Sequence, residues 1–180
     1  GFRNRPIPNS PQDGIRIEAS LAVVSSVAPY VSREALIRSR DGVDGIFLNG
    51  LDPARDVSTV ARYMVAGKYE IDREPGSLPK IVLGSKLAAR LSLNVGDKVT
   101  VFGIGGGMEP GKVRARQFRV SGMYESGMSE YDDVYAFTSL EDAQIVFQMG
   151  EAISGYNIML TNVASAASVS AQVQDMLGSP

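Results

Sequence analysis

Apolar positions along this chain alternate with polar ones over several stretches and switch to helical spacing between them, so strands and helices are interspersed. Ile17, Leu21 and Val24 stand at helix-compatible spacing, and an extended segment follows from Val27 to Ser39. Pro29 within it suits a strand edge or a bulge, because proline has no N–H to give to a ladder. Asp41-Gly42 offers a hairpin turn, and Val43 to Leu48 carries β-branched and aromatic residues back along a returning strand. Residues 1–14 hold three prolines and little periodicity, which reads as an irregular lead-in to a chain that starts mid-fold.

A helix is expected after Gly50. Asp52 can cap free amides, Pro53 fits the first helical position, and Val57, Val60, Ala61 and Met64 would share one face. Residues 67–80 are rich in Gly, Pro and charge and read as loop. Next comes a strand at Ile81 to Leu83, a cap at Ser85, a short helix with Leu87, Ala88 and Leu91, a turn at Asn94 to Asp97 and a strand from Lys98 to Phe102. From Arg116 to Tyr124, Phe118 and Val120 alternate with Arg119 and Ser121, the mark of a half-exposed strand. A strand at Val134 to Phe137 runs into Ser139-Leu-Glu-Asp142, a hydroxyl cap with an acid three residues on, and then a helix face of Leu140, Ala143 and Phe147. The last pair is a strand, Tyr156 to Leu160, and a helix from Val163 to Leu177 capped by Asn162 and facing inward through Ala166, Val169, Val173 and Leu177. Visible hairpins among these elements favour a mixed α+β fold over a purely parallel sheet.

Composition removes whole classes of chemistry. The 180 residues include no His and no Cys, which excludes Ser-His-Asp and Cys-His catalysis, thiol redox chemistry and imidazole or thiolate metal sites. Only carboxylate, Lys or Tyr enzymes survive that cut. With 18 basic against 20 acidic residues the chain lacks the basic surplus of a nucleic-acid binder. No run approaches the roughly 18 uninterrupted apolar residues of a membrane span, and the polar, proline-rich opening does not read as a secretory signal.

Gly106 to Lys112 fits the spacing of a phosphate-binding loop, but Val113 stands where a magnesium-binding hydroxyl belongs and the following residues alternate like a strand, so a flexible hairpin tip is the better reading. Glu125, Glu130, Asp132 and Asp133 gather acidic charge without the spacing of a calcium loop, and read as a solvated turn between two strands. Of the methionines at 108, 123 and 128, Met123 reads as core. Met108 sits on a glycine-rich tip, where a pliable apolar side chain suits contact with a partner. Lys112, Arg114, Arg116 and Arg119 form a basic stripe on the same hairpin, either guarding an edge strand against aggregation or meeting an acidic protein partner.

The order of Ile81-Val-Leu-Gly-Ser-Lys-Leu-Ala-Ala-Arg-Leu91, Val95-Gly-Asp-Lys-Val-Thr-Val101, Phe118-Arg-Val-Ser-Gly122, Glu125-Ser-Gly-Met-Ser-Glu-Tyr-Asp132 and Leu140-Glu-Asp-Ala143 resembles the periplasmic domain of lipoprotein-releasing (LolC/LolE-type) ABC-transporter permeases, within the wider MacB/FtsX-like superfamily. The similarity is dense from about residue 81 to 161 and thinner before it. Gly127-Met-Ser-Glu-Tyr-Asp132 is more similar to the lipoprotein-releasing branch than to the macrolide-exporter branch.

The resemblance implies an α+β MacB-like periplasmic core. A porter-like α/β subdomain would come from residues 1–45 and 151–180, and an inserted mixed α/β Sabre subdomain from 46–150, with a hairpin at 104–114. It implies a non-catalytic domain without cofactor or metal, excised from a membrane protein and lying on the periplasmic side of the inner membrane. The implied partners are a cytoplasmic ABC ATPase subunit, a second permease subunit, lipoprotein cargo and a periplasmic lipoprotein carrier. The hairpin would correspond to the hook that recruits the carrier, with Ile104, Met108, Pro110, Lys112, Arg114 and Arg116 as contact residues. A MacB-like exporter domain or an FtsX-like mechanotransmission domain is the alternative.

Overall fold

A computed structural model describes residues 7–8, 24–55, 59–104 and 114–160, with the backbone alone at 7, 8, 24, 25, 159 and 160. The strands are β1 (Ile7–Pro8), β2 (Val24–Arg38), β3 (Val43–Leu51), β4 (Met64–Gly67), β5 (Lys80–Gly84), β6 (Lys98–Gly103), β7 (Ala115–Tyr124), β8 (Tyr135–Ser139), β9 (Ala152–Ile153) and β10 (Gly155–Leu160). Three short helices accompany them, α1 (Ser85–Arg90), α2 (Ser129–Val134) and α3 (Leu140–Val146), with a 3₁₀ turn at Val60–Tyr63.

Ladders connect β2 to β3, β3 to β8, β8 to β5, β5 to β7, β7 to β6 and β6 back to β2. These strands therefore close into a ring, which removes both sheet edges along its course. β10 lies beside the first half of β2, β4 beside the end of β7, and β1 pairs with β9.

The ring is filled by every second residue of its strands: Ala35 and Ile37, Ile46 and Leu48, Ile81 and Leu83, Val99 and Val101, Phe118 and Val120, and Ala136, all buried in one apolar cluster. Period-two alternation puts these side chains on a single face, and closing the sheet turns that face into an interior. Helix α1 adds Leu87 to the cluster, with Leu91 just beyond it, and α3 adds Val146, with Phe147 just beyond it. Because β5 and β8 run antiparallel, α1 and α3 leave from opposite ends of the ring. Gly50 lets α3 approach β3 closely: a Cβ there would come within 2.4 Å of the Ala143 Cβ.

The hairpin turn at Asp41-Gly42, the unit from β5 through α1 to β6, and the Ser139 cap agree with the sequence pattern. Others of its elements need correction. The helix expected from Asp52 is absent among the described residues: the Asp52 carboxylate accepts from the Ala54 N–H at 3.0 Å and closes a turn, and Met64 already belongs to β4. Pairing of 64–67 with β7 overrides the helical spacing there. The α1 cap is Gly84, and Ser85 is the first helical residue. Val24 opens a strand instead of closing a helix. The acidic turn is helix α2, with Asp132 buried. The C-terminal helix lies outside the described residues, as does most of the early helical stretch.

Pro29 precedes the β2–β3 ladder, which starts at Tyr30, so it has a paired strand on one side only.

Candidate functional site

The hairpin singled out by sequence joins β6 to β7. Met108, Pro110 and Lys112 lie outside the described residues, and the structure describes its two roots. At one root Ile104 is 40% exposed and its N–H donates to the Glu34 carbonyl at 3.3 Å. At the other, exposed Arg114 lines an open cavity of about 950 Å³ together with Asp52, Asp72, Arg73, Glu141 and Gln144.

Arg116 is committed inward. It shares the parity of Phe118 and Val120, so β7 aims it at the end of the ring that α3 covers, where its guanidinium meets Asp142 Oδ1 at 2.7 Å. Arg119 has the opposite parity and donates to the Gly96 carbonyl at 2.6 Å. Among the described residues the basic stripe is therefore divided: Arg116 and Arg119 do not share one surface patch.

Asp142 is fully buried and organises this end of the molecule. Its N–H donates to Ser139 Oγ at 3.1 Å, the Ser139 hydroxyl donates back to Oδ2 at 2.5 Å, and Arg73 Nε stands 3.4 Å from Oδ1. Arg73 also pairs with Glu141 at 2.5 Å, and that hydrogen bond raises its pKa above the usual arginine value. One carboxylate thus ties the hairpin's second arm, the 68–79 loop and the start of α3 together. The sequence showed the cap but missed the Arg116 link. Counting parity back from Phe118 is the signal that would have found it.

The other end of β7 carries a second arrangement. Ser126 donates its N–H to both Asp132 oxygens, at 2.9 and 3.0 Å, and its hydroxyl to Oδ1 at 2.6 Å. A buried carboxylate satisfied in this way fixes the loop that carries Met128, which is 62% exposed. Tyr124 is fully buried below it and donates to the Tyr135 carbonyl at 2.8 Å. Tyr131 and Tyr135 stack at 4.1 Å, and Tyr135 stacks in turn on Phe47 at 5.6 Å.

Burial, followed by the nearby Asp132 charge, pushes the Tyr124 hydroxyl far above its ordinary value of 10.0. The folded protein keeps that proton where the unfolded chain loses it, so the stability it contributes is present below about pH 10 and declines as pH rises above it. Tyr124→Phe is expected to cost about 1 kcal/mol at neutral pH for the lost hydrogen bond. Wild type then loses about 1.4 kcal/mol per further pH unit through this group, and the two stability curves meet near pH 11. Urea titrations at several pH values check this; parallel curves from neutral to strongly alkaline pH would refute it.

Across the described residues no helix is long and apolar enough to cross a membrane, and no group of three or more carboxylates is placed to hold a metal ion. The model of the MacB-like periplasmic core domain family matches residues 3–176. This chain belongs to that family. Among curated relatives, the periplasmic core domain is 34% identical over 152 residues to the lipoprotein-releasing system transmembrane protein LolC of Neisseria meningitidis serogroup B, covering 82% of this chain and 36% of that protein. It is 30% identical over 161 residues to LolC of Xylella fastidiosa, covering 87% of this chain and 38% of that protein. The chain therefore spans less than two-fifths of the length of either relative.

Two solved structures share the fold of this core domain. The periplasmic region of MacB from Actinobacillus actinomycetemcomitans aligns with a TM-score of 0.61 at 15% identity, over 98% of this chain and 78% of that one. The extracellular domain of the ABC-type transporter YknZ from Gram-positive bacteria aligns with a TM-score of 0.59 at 13% identity, over 98% of this chain and 88% of that one.

Proposed function

We propose that this chain is the periplasmic domain of an ABC-transporter permease that releases lipoproteins from the inner membrane and hands them to a soluble periplasmic carrier. The observation that carries this reading is the identity to LolC proteins over more than four-fifths of the chain. The domain works without chemistry of its own. ATP hydrolysis on a cytoplasmic partner subunit moves membrane helices, a second permease subunit completes the transporter, and the ring of strands moves as a stiff body that opens and closes around lipid-modified cargo.

In this reading the 104–114 hairpin recruits the carrier, through Ile104, Met108, Pro110, Lys112 and Arg114, while Arg116 holds its second arm in place. The exposure of Ile104 and Arg114 supports this. The pairing of β10 with residues 24–30 supports assembling one subdomain from both ends of the chain, while the ring itself draws on both proposed segments, β2 from 1–45 and β5 to β8 from 46–150. The division proposed at residues 45/46 falls inside β3.

Titration calorimetry of the chain with the lipoprotein carrier of the same organism tests recruitment, with a Met108→Ala, Pro110→Ala variant alongside. Binding by the wild type that weakens at least tenfold in the variant is expected. Equal binding by both, or binding by neither, overturns hairpin recruitment, and the second outcome favours an exporter-like or FtsX-like mechanical role.

A further inference from the structure

A groove of about 480 Å³ opens beside the Met128 loop, walled by Tyr63, Met128, Tyr131 and Ile158 over Tyr124 and Phe137. It lies at the end of β7 remote from the hairpin. The ten residues of that strand put about 30 Å between Ala115 and Tyr124. None of the residues lining the groove is charged.

Three observations bear on its occupant. Met128 and Tyr63 are 62% and 44% exposed, so the groove's rim is apolar surface open to solvent. The loop that holds Met128 outward is fixed from beneath by the buried Asp132 carboxylate, so an adaptable apolar side chain stands on a rigid base, as a preorganised contact requires. Glu125 and Glu130, next in sequence to the lining residues Tyr124 and Tyr131, are exposed and have no cationic partner among the described residues. Two bases stand close by without pairing with either: Arg62 precedes Tyr63, whose carbonyl accepts from the Glu125 N–H at 2.9 Å, and Lys86 donates to Ser129 at 2.6 Å.

We infer that this groove docks a segment of a partner protein that inserts an aliphatic or aromatic side chain between Met128 and Tyr63 and sets flanking Lys or Arg residues against Glu125 and Glu130. Aromatic and methionine walls reward an apolar anchor whose shape is not fixed in advance, and the carboxylates of Glu125 and Glu130, exposed next in sequence to lining residues, select the sign of its neighbours. The surface is separate from the hairpin and does not depend on carrier recruitment.

The test is NMR titration of the chain with three synthetic peptides, KKLFKK, EELFEE and KKSGKK, on wild type, Met128→Ser and Glu130→Lys. Met128 and Glu130 are exposed, so both variants keep the fold, which their amide spectra check directly. The expected result is saturable shifts around Tyr63, Met128 and Tyr131 with KKLFKK, and affinity at least tenfold weaker for each other peptide and for each variant. Equal binding of EELFEE or KKSGKK, or shifts centred away from the groove, overturns the inference. So does the absence of any peptide binding, whether the groove then takes a palmitate chain, closes against a second copy in sedimentation, or stays empty.

Discussion

Gly84→Ala is expected to destabilise the domain by about 3 kcal/mol or more, near the top of what overpacking costs. The backbone at Gly84, φ −64° and ψ 143°, suits any residue, so the effect is purely one of space. An added Cβ would stand 1.8 Å from the Asp132 carbonyl oxygen and 2.6 Å from its carbon. Both atoms are backbone, so no side-chain rotation relieves the clash and α2 must move as a unit. Helix α2 is not free to do so. Ser126 holds the Asp132 carboxylate, the Tyr124 hydroxyl lies 3.2 Å from the Tyr131 carbonyl, and Lys86 on α1 donates to Ser129 at 2.6 Å. Gly45→Ala, where nothing lies within 4 Å of an added Cβ, is the matched control and should change stability by no more than about 0.5 kcal/mol. Urea midpoints at constant m-value read both, and a shift under about 1 kcal/mol for Gly84→Ala would show that α2 yields easily.

The second large effect is expected at Asp142. Asp142→Ala should cost about 3 kcal/mol, because Arg116 then faces a hole while its Nε is already buried without a partner, and Ser139 loses the acceptor of its hydroxyl. Arg116 keeps some contact with water, which holds the figure at the low end for a broken buried pair. Arg116→Ala should cost less, about 2 kcal/mol, since Ser139 and Arg73 still engage the carboxylate. A double-mutant cycle measures their coupling, expected at about 1 kcal/mol or more. If the two single changes cost the same and simply add, the link is not holding the second hairpin arm.

What sequence revealed was local. The 39–42 turn, the β5–α1–β6 unit and the Ser139 cap are each decided within about a dozen residues, by turn chemistry, capping and periodicity. Ring closure was not visible, because the pairing of β2 with β6 depends on residues such as Ile37 and Val101 meeting across a long interval. β4 was lost for the same reason: Met64 has helical spacing to Val60, and only β7 alongside makes it a strand. At the site, the hairpin's place was legible and the fate of its arginines was not, since parity matters only once the strand is known to border a closed interior. Acidic composition suggests solvent for Asp132, whereas two donors from Ser126, the N–H shared between both oxygens and the hydroxyl, allow that carboxylate to be buried.

The parallel ladder between β3 and β8 has a consequence for biogenesis. β3 ends at Leu51 and its partner begins at Tyr135. In a chain synthesised N-terminus first, the β2–β3 hairpin forms early and then waits with one flank unsatisfied while more than eighty further residues are delivered. During that interval Phe47 and Leu48 lie on an open template for misassembly, so holdase binding to nascent chains should peak before residue 135 emerges and fall sharply after residue 139.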